Sequence, residues 1–319
     1  MRDAFVQRLT EMAARDPRIL LITGDLGFGV LTEYARQFPR QYLNAGVAEQ
    51  NMAGLATGLA LEGHIVYTYS IANFVFMRCL EQIRNDAAYH DCNVNVVCVG
   101  GGFSYGALGI SHHATEDLTI MRSIPGMTVV APGDDWEAAE ATEAVAGIPG
   151  PSYLRLDKST AGWTQRSGEA FQLGKIRRHC EGRDLCLAAT GGIVAEALAA
   201  ADRLRSEGIH CRVLSVHTVK PLDVPTLAKA AVETGGLITI EEHTVDGGLG
   251  SAVAEQLLEG GVVPRRFLRI GLRDGFSSIV GSQQYLRSRY GMDRQAIVAA
   301  ARQLLAGQKQ DPLPNKNAA

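Results

Sequence analysis

The chain has 319 residues, with 31 basic against 34 acidic side chains and a formal net charge of −3. At roughly 150 residues per domain this length suggests two domains, and 46% hydrophobic with 20% charged residues excludes global disorder. The near-neutral balance argues against nucleic acid or an anionic membrane as the main partner.

Short β-branched runs alternate with helical spacing from the N-terminus. Helical spacing over 4–14 precedes a strand at 19–23, and a helix over 48–62 precedes a strand at 64–69. A helix over 76–89, strands at 93–99 and 127–131, a helix over 136–146 and a strand at 152–156 complete the first half. Such alternation predicts a parallel sheet covered by helices on both faces. Residues 163–184 are polar, basic and aperiodic, and read as a linker. The alternation then restarts with 185–189, a helix over 193–207, 211–215, 224–234, 237–241, a helix over 250–258 and 266–270. A last helix opens at Asp293, a good N-cap, and stops before Gly307. The tail 308–319 reads as disordered. The expected fold is therefore α/β, with two doubly wound domains over 1–162 and 185–307.

The longest uncharged stretch, 92–115, contains five glycines and two adjacent histidines and makes a poor membrane span. The N-terminus has no charged-then-apolar leader design. Six cysteines without a CxxC pair read as reduced thiols of a cytoplasmic protein.

Several glycine-rich turns imitate known sites. Gly24-Asp25 followed by Asn51 resembles a thiamine-diphosphate metal motif, but Leu26 breaks the pattern and a tight turn explains it better. Gly100-Gly101-Gly102 lacks the spacing of a dinucleotide fingerprint, and Thr190-Gly191-Gly192 reads as a strand-to-helix turn. No metal-ligand spacing is present.

Three segments carry chemistry. In "NAGVAEQNMAGLATGLA", Glu49 is a single acid opening a helix of small residues, either a first-turn cap or a carboxyl in a tight pocket. In "SIANFVFMRCLEQIR", aromatic residues pass from a strand into a helix, as core or as a stacking platform. In "GISHHATEDLTIMRSIPGMTVVAP", a Gly-rich loop delivers His112 and His113 just before a helix, which suits acid–base work.

Together these segments resemble the thiamine-diphosphate-dependent transketolase family, in its pyrimidine-binding domain. "GGIVAEALAAADRL", "VLSVHTVKPLD" and "EEHTVDGGLGSAVAE" resemble its C-terminal domain, so the likeness covers about residues 1–306. The resemblance implies that a further domain, which binds the diphosphate and its Mg²⁺ (or Ca²⁺), resides on a separate partner chain. The expected assembly is then an α2β2 heterotetramer, with this chain as the small subunit of a split transketolase.

By resemblance, Glu49 hydrogen-bonds the aminopyrimidine and promotes loss of the thiazolium C2 proton. A two-carbon ketol unit then passes from a ketose to an aldehyde. The likeness assigns Phe74 and Arg78 to the cofactor, His112 to proton transfers on the sugar, and Arg2 and Lys158 to a substrate phosphate. A frayed terminus is the alternative for Arg2. Three positions depart from the family: Leu108 stands where an Asp reads a donor hydroxyl, while Gly100 and Gly29 replace a phosphate-binding His and Ser. An apolar Leu accepts no hydrogen bond, so a remodelled substrate site for a sugar or sugar phosphate is expected. A 1-deoxyxylulose-phosphate synthase type, a 2-oxoacid dehydrogenase β type and a non-catalytic scaffold remain the competing readings.

Overall fold

In a computed structural model, which describes residues 1–158 and 162–307, the chain builds two sheets, each flanked by helices. The expected disordered tail lies outside the described residues. The first half supplies β1 (Ile19–Thr23), β2 (Tyr42–Asn44), β3 (Ile65–Ile71), β4 (Val94–Val99), β5 (Thr128–Val130) and β6 (Ser152–Leu156). The second half supplies β7 (Arg177–Cys180), β8 (Leu185–Thr190), β9 (Cys211–Ser215), β10 (Thr218–Lys220), β11 (Leu237–Thr244) and β12 (Phe267–Leu272).

The first sheet has the order β10-β5-β6-β4-β3-β1-β2 and the second β12-β11-β8-β9-β7. All pairings are parallel except β10 with β5 and β7 with β9. Every residue of β4, β6, β8 and β9 is buried, as expected of central strands covered on both faces.

Two features depart from the sequence reading. The stretch expected to be a linker contains β7, which closes the edge of the second sheet. Its Phe171 also packs against Trp136 and His217. Moreover β10 comes from the second half yet pairs with the first sheet, with Thr218 opposite Val130. The two halves thus interlock.

The helix Glu49–Leu61 buries Met52, Ala53, Ala56 and Thr57, a stripe at helical spacing whose small members allow close packing. The single helix predicted over 76–89 breaks at Cys79 (φ −120°, ψ 25°), between helix Ala72–Arg78 and a π-turn at Ile83–Ala88. Side chains of Asp134, Asp223, Ser282 and Asp293 accept from backbone N–H groups at the starts of four other helices.

Buried arginines, each paired with an acid, reach from one half to the other. Arg155 Nε donates to Asp117 Oδ2 at 2.9 Å and Arg155 Nη2 to the Glu242 carbonyl at 2.9 Å. Arg177 bridges Asp134 at 2.7 Å and Glu169 at 2.9 Å. Among the described residues no helix is long and apolar enough to cross a membrane.

Candidate active site

The loops after the C-terminal ends of β1, β3 and β4 open on one edge of the first sheet, where parallel α/β sheets present their ligands. After β1, the turn at Asp25 takes φ 57° and exchanges hydrogen bonds with Asn44, at 3.0 Å to its backbone N–H and 2.9 Å to its carboxylate. Glu49 opens the neighbouring helix, whose N-cap Ala48 supplies no side-chain acceptor. A carboxylate in this first turn lies at the positive end of the helix dipole. It is only 6% exposed.

From Glu49 a chain of contacts runs along the edge. Arg78 Nη1 donates to Glu49 Oε1 at 2.7 Å, and the Arg78 guanidinium lies 4.4 Å from the centre of the Phe74 ring. The half-buried Phe74 meets His112 edge-on, with ring centres 5.2 Å apart. Helix Ala72–Arg78 carries both Phe74 and Arg78, one turn apart, and Asn73 Nδ2 ties this helix to the Ser111 carbonyl at 2.7 Å. Four of the predicted residues therefore converge.

His112 Nδ1 lies 3.0 Å from Ser111 Oγ, so the hydroxyl orients the ring. Burial, and secondarily the adjacent His113, push the His112 imidazole below the ordinary histidine value. A neutral imidazole near pH 7 can accept a proton. His113, by contrast, is 1% exposed and faces away from this edge, towards Ser277.

Further along, the Tyr105 ring lies 6.2 Å from His112, and Lys158 Nζ stands 5.0 Å above that ring. Arg2 starts helix Arg2–Arg15 and pairs with Asp3. Met1 is buried beside it, so this terminus is anchored. Leu108 is 55% exposed on the same loop. Gly100, at φ +95°, has the Tyr105 ring lying where its Cβ would be, whereas a Cβ at Gly29 would meet nothing within 4 Å.

Sequence reasoning missed Asn73, Tyr105 and Ser277. Only the Gly100-Gly101-Gly102 run signalled a close approach of some bulky group there.

A nearly buried acid beside a half-exposed aromatic ring fits the pyrimidine half of thiamine diphosphate, since such an acid could meet a ring nitrogen and such a ring could offer a face. Among the described residues no cluster of His, Cys, Asp and Glu could hold a metal ion.

Fold and site together define a two-domain α/β chain with an acid–aromatic cluster at its strand ends. Residues 1–162 match the transketolase pyrimidine-binding domain and residues 174–297 the transketolase C-terminal domain. The chain belongs to the transketolase family, whose chemistry is group transfer with thiamine diphosphate. It is 40% identical to the 6-deoxy-6-sulfo-D-fructose transketolase subunit SqwH of Clostridium sp. (strain MSTE9), over 95% of this chain and 94% of that one. It is 37% identical to one subunit of the apulose-4-phosphate transketolase of Phocaeicola vulgatus, over 94% and 96% of the two chains. A solved structure described as a split-gene transketolase, inactive beta4 tetramer, superposes with a TM-score of 0.86 at 35% identity, covering 97% of this chain and 98% of that one. Its likeness is thus to transferase subunits of the split type.

Proposed function

We propose that the chain is the small subunit of a split transketolase that moves a two-carbon ketol unit from a ketose to an aldehyde, and only with a partner chain. The observation that supports this most is the convergence of Glu49, Phe74, Arg78 and His112 on one open edge. Around it Val47, Met77, Leu108 and Ile110 are exposed apolar side chains. Such a rim suits coverage by another chain, which would carry the diphosphate and its Mg²⁺ in an α2β2 assembly. The six cysteines are free, which suits a reducing cytoplasm.

When bound, thiamine diphosphate supplies the carbon nucleophile and electron sink for cleaving the ketose. The Glu49 carboxyl, nearly buried and fixed by Arg78, would meet the pyrimidine nitrogen and exchange a proton with it. Phe74 would orient the ring by stacking, while the hydrogen bond from Arg78 Nη1 holds the Glu49 carboxyl in position. His112, neutral and oriented by Ser111, accepts and returns the proton of the sugar hydroxyl.

The donor follows from Leu108, Tyr105, Arg2 and Lys158. A carbon chain passing the Leu108 side chain meets no hydrogen-bond acceptor on it, while Lys158 stands over Tyr105 with positive charge and Arg2 adds a second cation at the start of the first helix. The two relatives are named for a deoxy-sulfo sugar and a sugar phosphate. We therefore read the donor as a modified, deoxygenated or branched ketose with an anionic end.

The test is reconstitution. The purified chain with thiamine diphosphate and Mg²⁺ is expected to be inactive, and addition of the partner chain to restore transfer; turnover by the chain alone overturns the proposal. Xylulose 5-phosphate is expected to react below about 10⁴ M⁻¹s⁻¹ in kcat/KM, the lower end for an enzyme on its own substrate.

A further inference from the structure

We propose that Ser277, on the second domain, is a positioning residue for the His112 loop of the first domain and acts through His113. His113 Nδ1 lies 2.7 Å from Ser277 Oγ and His113 Nε2 lies 3.2 Å from the Gly106 carbonyl oxygen. A carbonyl can only accept, so Nε2 carries the ring proton and donates it to Gly106. Nδ1 is then left to accept from the Ser277 hydroxyl. One ring thus spans from the second domain to the turn Gly106–Leu108, which leads directly to His112. Both ends of this span are out of water, with His113 1% and Ser277 0% exposed.

A second tie runs beside it. Gly281 N–H donates to the same Gly106 carbonyl at 3.2 Å. A Cβ at Gly106 would lie 2.6 Å from both the Gly281 carbonyl oxygen and Leu286 Cδ1, so the turn is seated against the second domain without slack. Phe103, at the start of the loop, stacks on Tyr290 of the second domain with ring centres 5.4 Å apart. On the opposite side Asn73 holds the Ser111 carbonyl. The half-buried His112 ring has, among the described residues, Ser111 Oγ as its one hydrogen-bond partner, so its direction is inherited from this frame. The second domain therefore acts on the reaction centre from a residue 164 positions beyond His113.

The inference rests on the ketol-transfer reading only where turnover is measured, so its test has two parts. In the full chain with ¹⁵N-labelled histidine, nitrogen shifts report the tautomer of His113 and the titration of His112. Wild type is expected to show the Nε2–H form at His113, and Ser277→Ala to move the His112 midpoint by at least 0.3 pH units, on the order of a twofold change in its protonation equilibrium. An unchanged midpoint, or an Nδ1–H tautomer in wild type, overturns the inference.

In the complex with the partner chain, β-hydroxypyruvate serves as donor and glycolaldehyde as acceptor, since neither has a distal group to recognise. Ser277→Ala is expected to lower kcat by about 10- to 100-fold while KM for β-hydroxypyruvate stays within about threefold, the pattern of a misdirected acid–base group. Ser277→Thr keeps the hydroxyl, and His113→Gln keeps one acceptor and one donor, so each is expected to recover most of the loss that Ser277→Ala or His113→Leu causes. Wild-type kcat in a folded Ser277→Ala, or no recovery by either conservative variant, overturns the inference. A wild-type complex inactive on β-hydroxypyruvate defeats the ketol-transfer reading instead, and the nitrogen shifts still decide the role of Ser277.

Discussion

Arg78 engages Glu49 and Phe74 at once, donating to the acid at 2.7 Å while covering the ring at 4.4 Å. The Glu49 side chain is 7% exposed and that of Arg78 50%, so water reaches the pair from the Arg78 side. The acid is thereby held in place before any ligand arrives. Glu49→Gln keeps the shape and removes the proton chemistry. Hydrogen–deuterium exchange at C2 of thiamine diphosphate in the reconstituted complex is expected to slow by about 100-fold or more, the usual scale for a lost acid–base group. Exchange within about tenfold of wild type would refute the role of Glu49.

At Gly100 the expectation concerns stability. Its φ of +95° and the Tyr105 ring lying where a Cβ would be both disfavour a side chain. Gly100→Ala is expected to cost about 1–3 kcal/mol, from strain plus overpacking. Tyr105→Ala in the same chain removes the overlap but not the strain. Urea unfolding of the two single variants and the double variant should reveal a coupling of at least about 1 kcal/mol. Strict additivity would show that the ring swings aside freely.

Arg155 is a buried cation shared by the two halves, bonded to Asp117 and to the carbonyls of Ala114 and Glu242. Arg155→Met strands Asp117, which is 0% exposed. A loss of about 3–5 kcal/mol is expected, because an uncompensated buried charge costs more than the pair contributes. Calorimetry should place Arg155→Met well below wild type, and pairing it with Asp117→Asn should narrow the gap.

The pH dependence of stability carries a signature of His217. Burial, opposed by an acceptor at the Lys175 backbone, pushes its imidazole down to about 4. An unfolded histidine titrates near 6.5, so between about 4 and 6.5 the unfolded chain binds a proton that the folded chain refuses. Stability is therefore full above about 6.5 and falls as the pH drops towards 4, by a total on the order of 3 kcal/mol. Glu241, pushed up to about 7 by burial, acts oppositely between about 4.5 and 7. The comparison is consequently made against His217→Gln: wild type should lose stability relative to the variant on acidification, and parallel curves would exclude the effect.

How much of this was legible depends on burial. The runs 19–23, 152–156 and 211–215 coincide with β1, β6 and β9 because strands covered on both faces announce themselves by composition alone. Thr218–Lys220 escapes that signal, being three residues held by antiparallel pairing to Val129 and Val130. Tyr42–Asn44 is half exposed and equally mute. Within the site, Glu49, Phe74 and His112 stand out as ordered segments, but Arg78 joining the first two emerges only when the helix is built. Tyr105 over Gly100 and Ser277 under His113 are products of chain folding that no local spacing encodes.

The strand β10 limits how the gene could be divided. A fragment ending near residue 162 would lack Thr218–Lys220 and leave β5 as a bare edge, with unpaired N–H and C=O groups along Thr128–Val130. Unprotected edges recruit other strands. A fragment beginning at residue 174 would hold a β10 with no β5 to receive it, although it keeps β7 and the whole second sheet. Expressed apart, the first piece should precipitate or pair with itself; expressed together, the two should find each other through this one short ribbon.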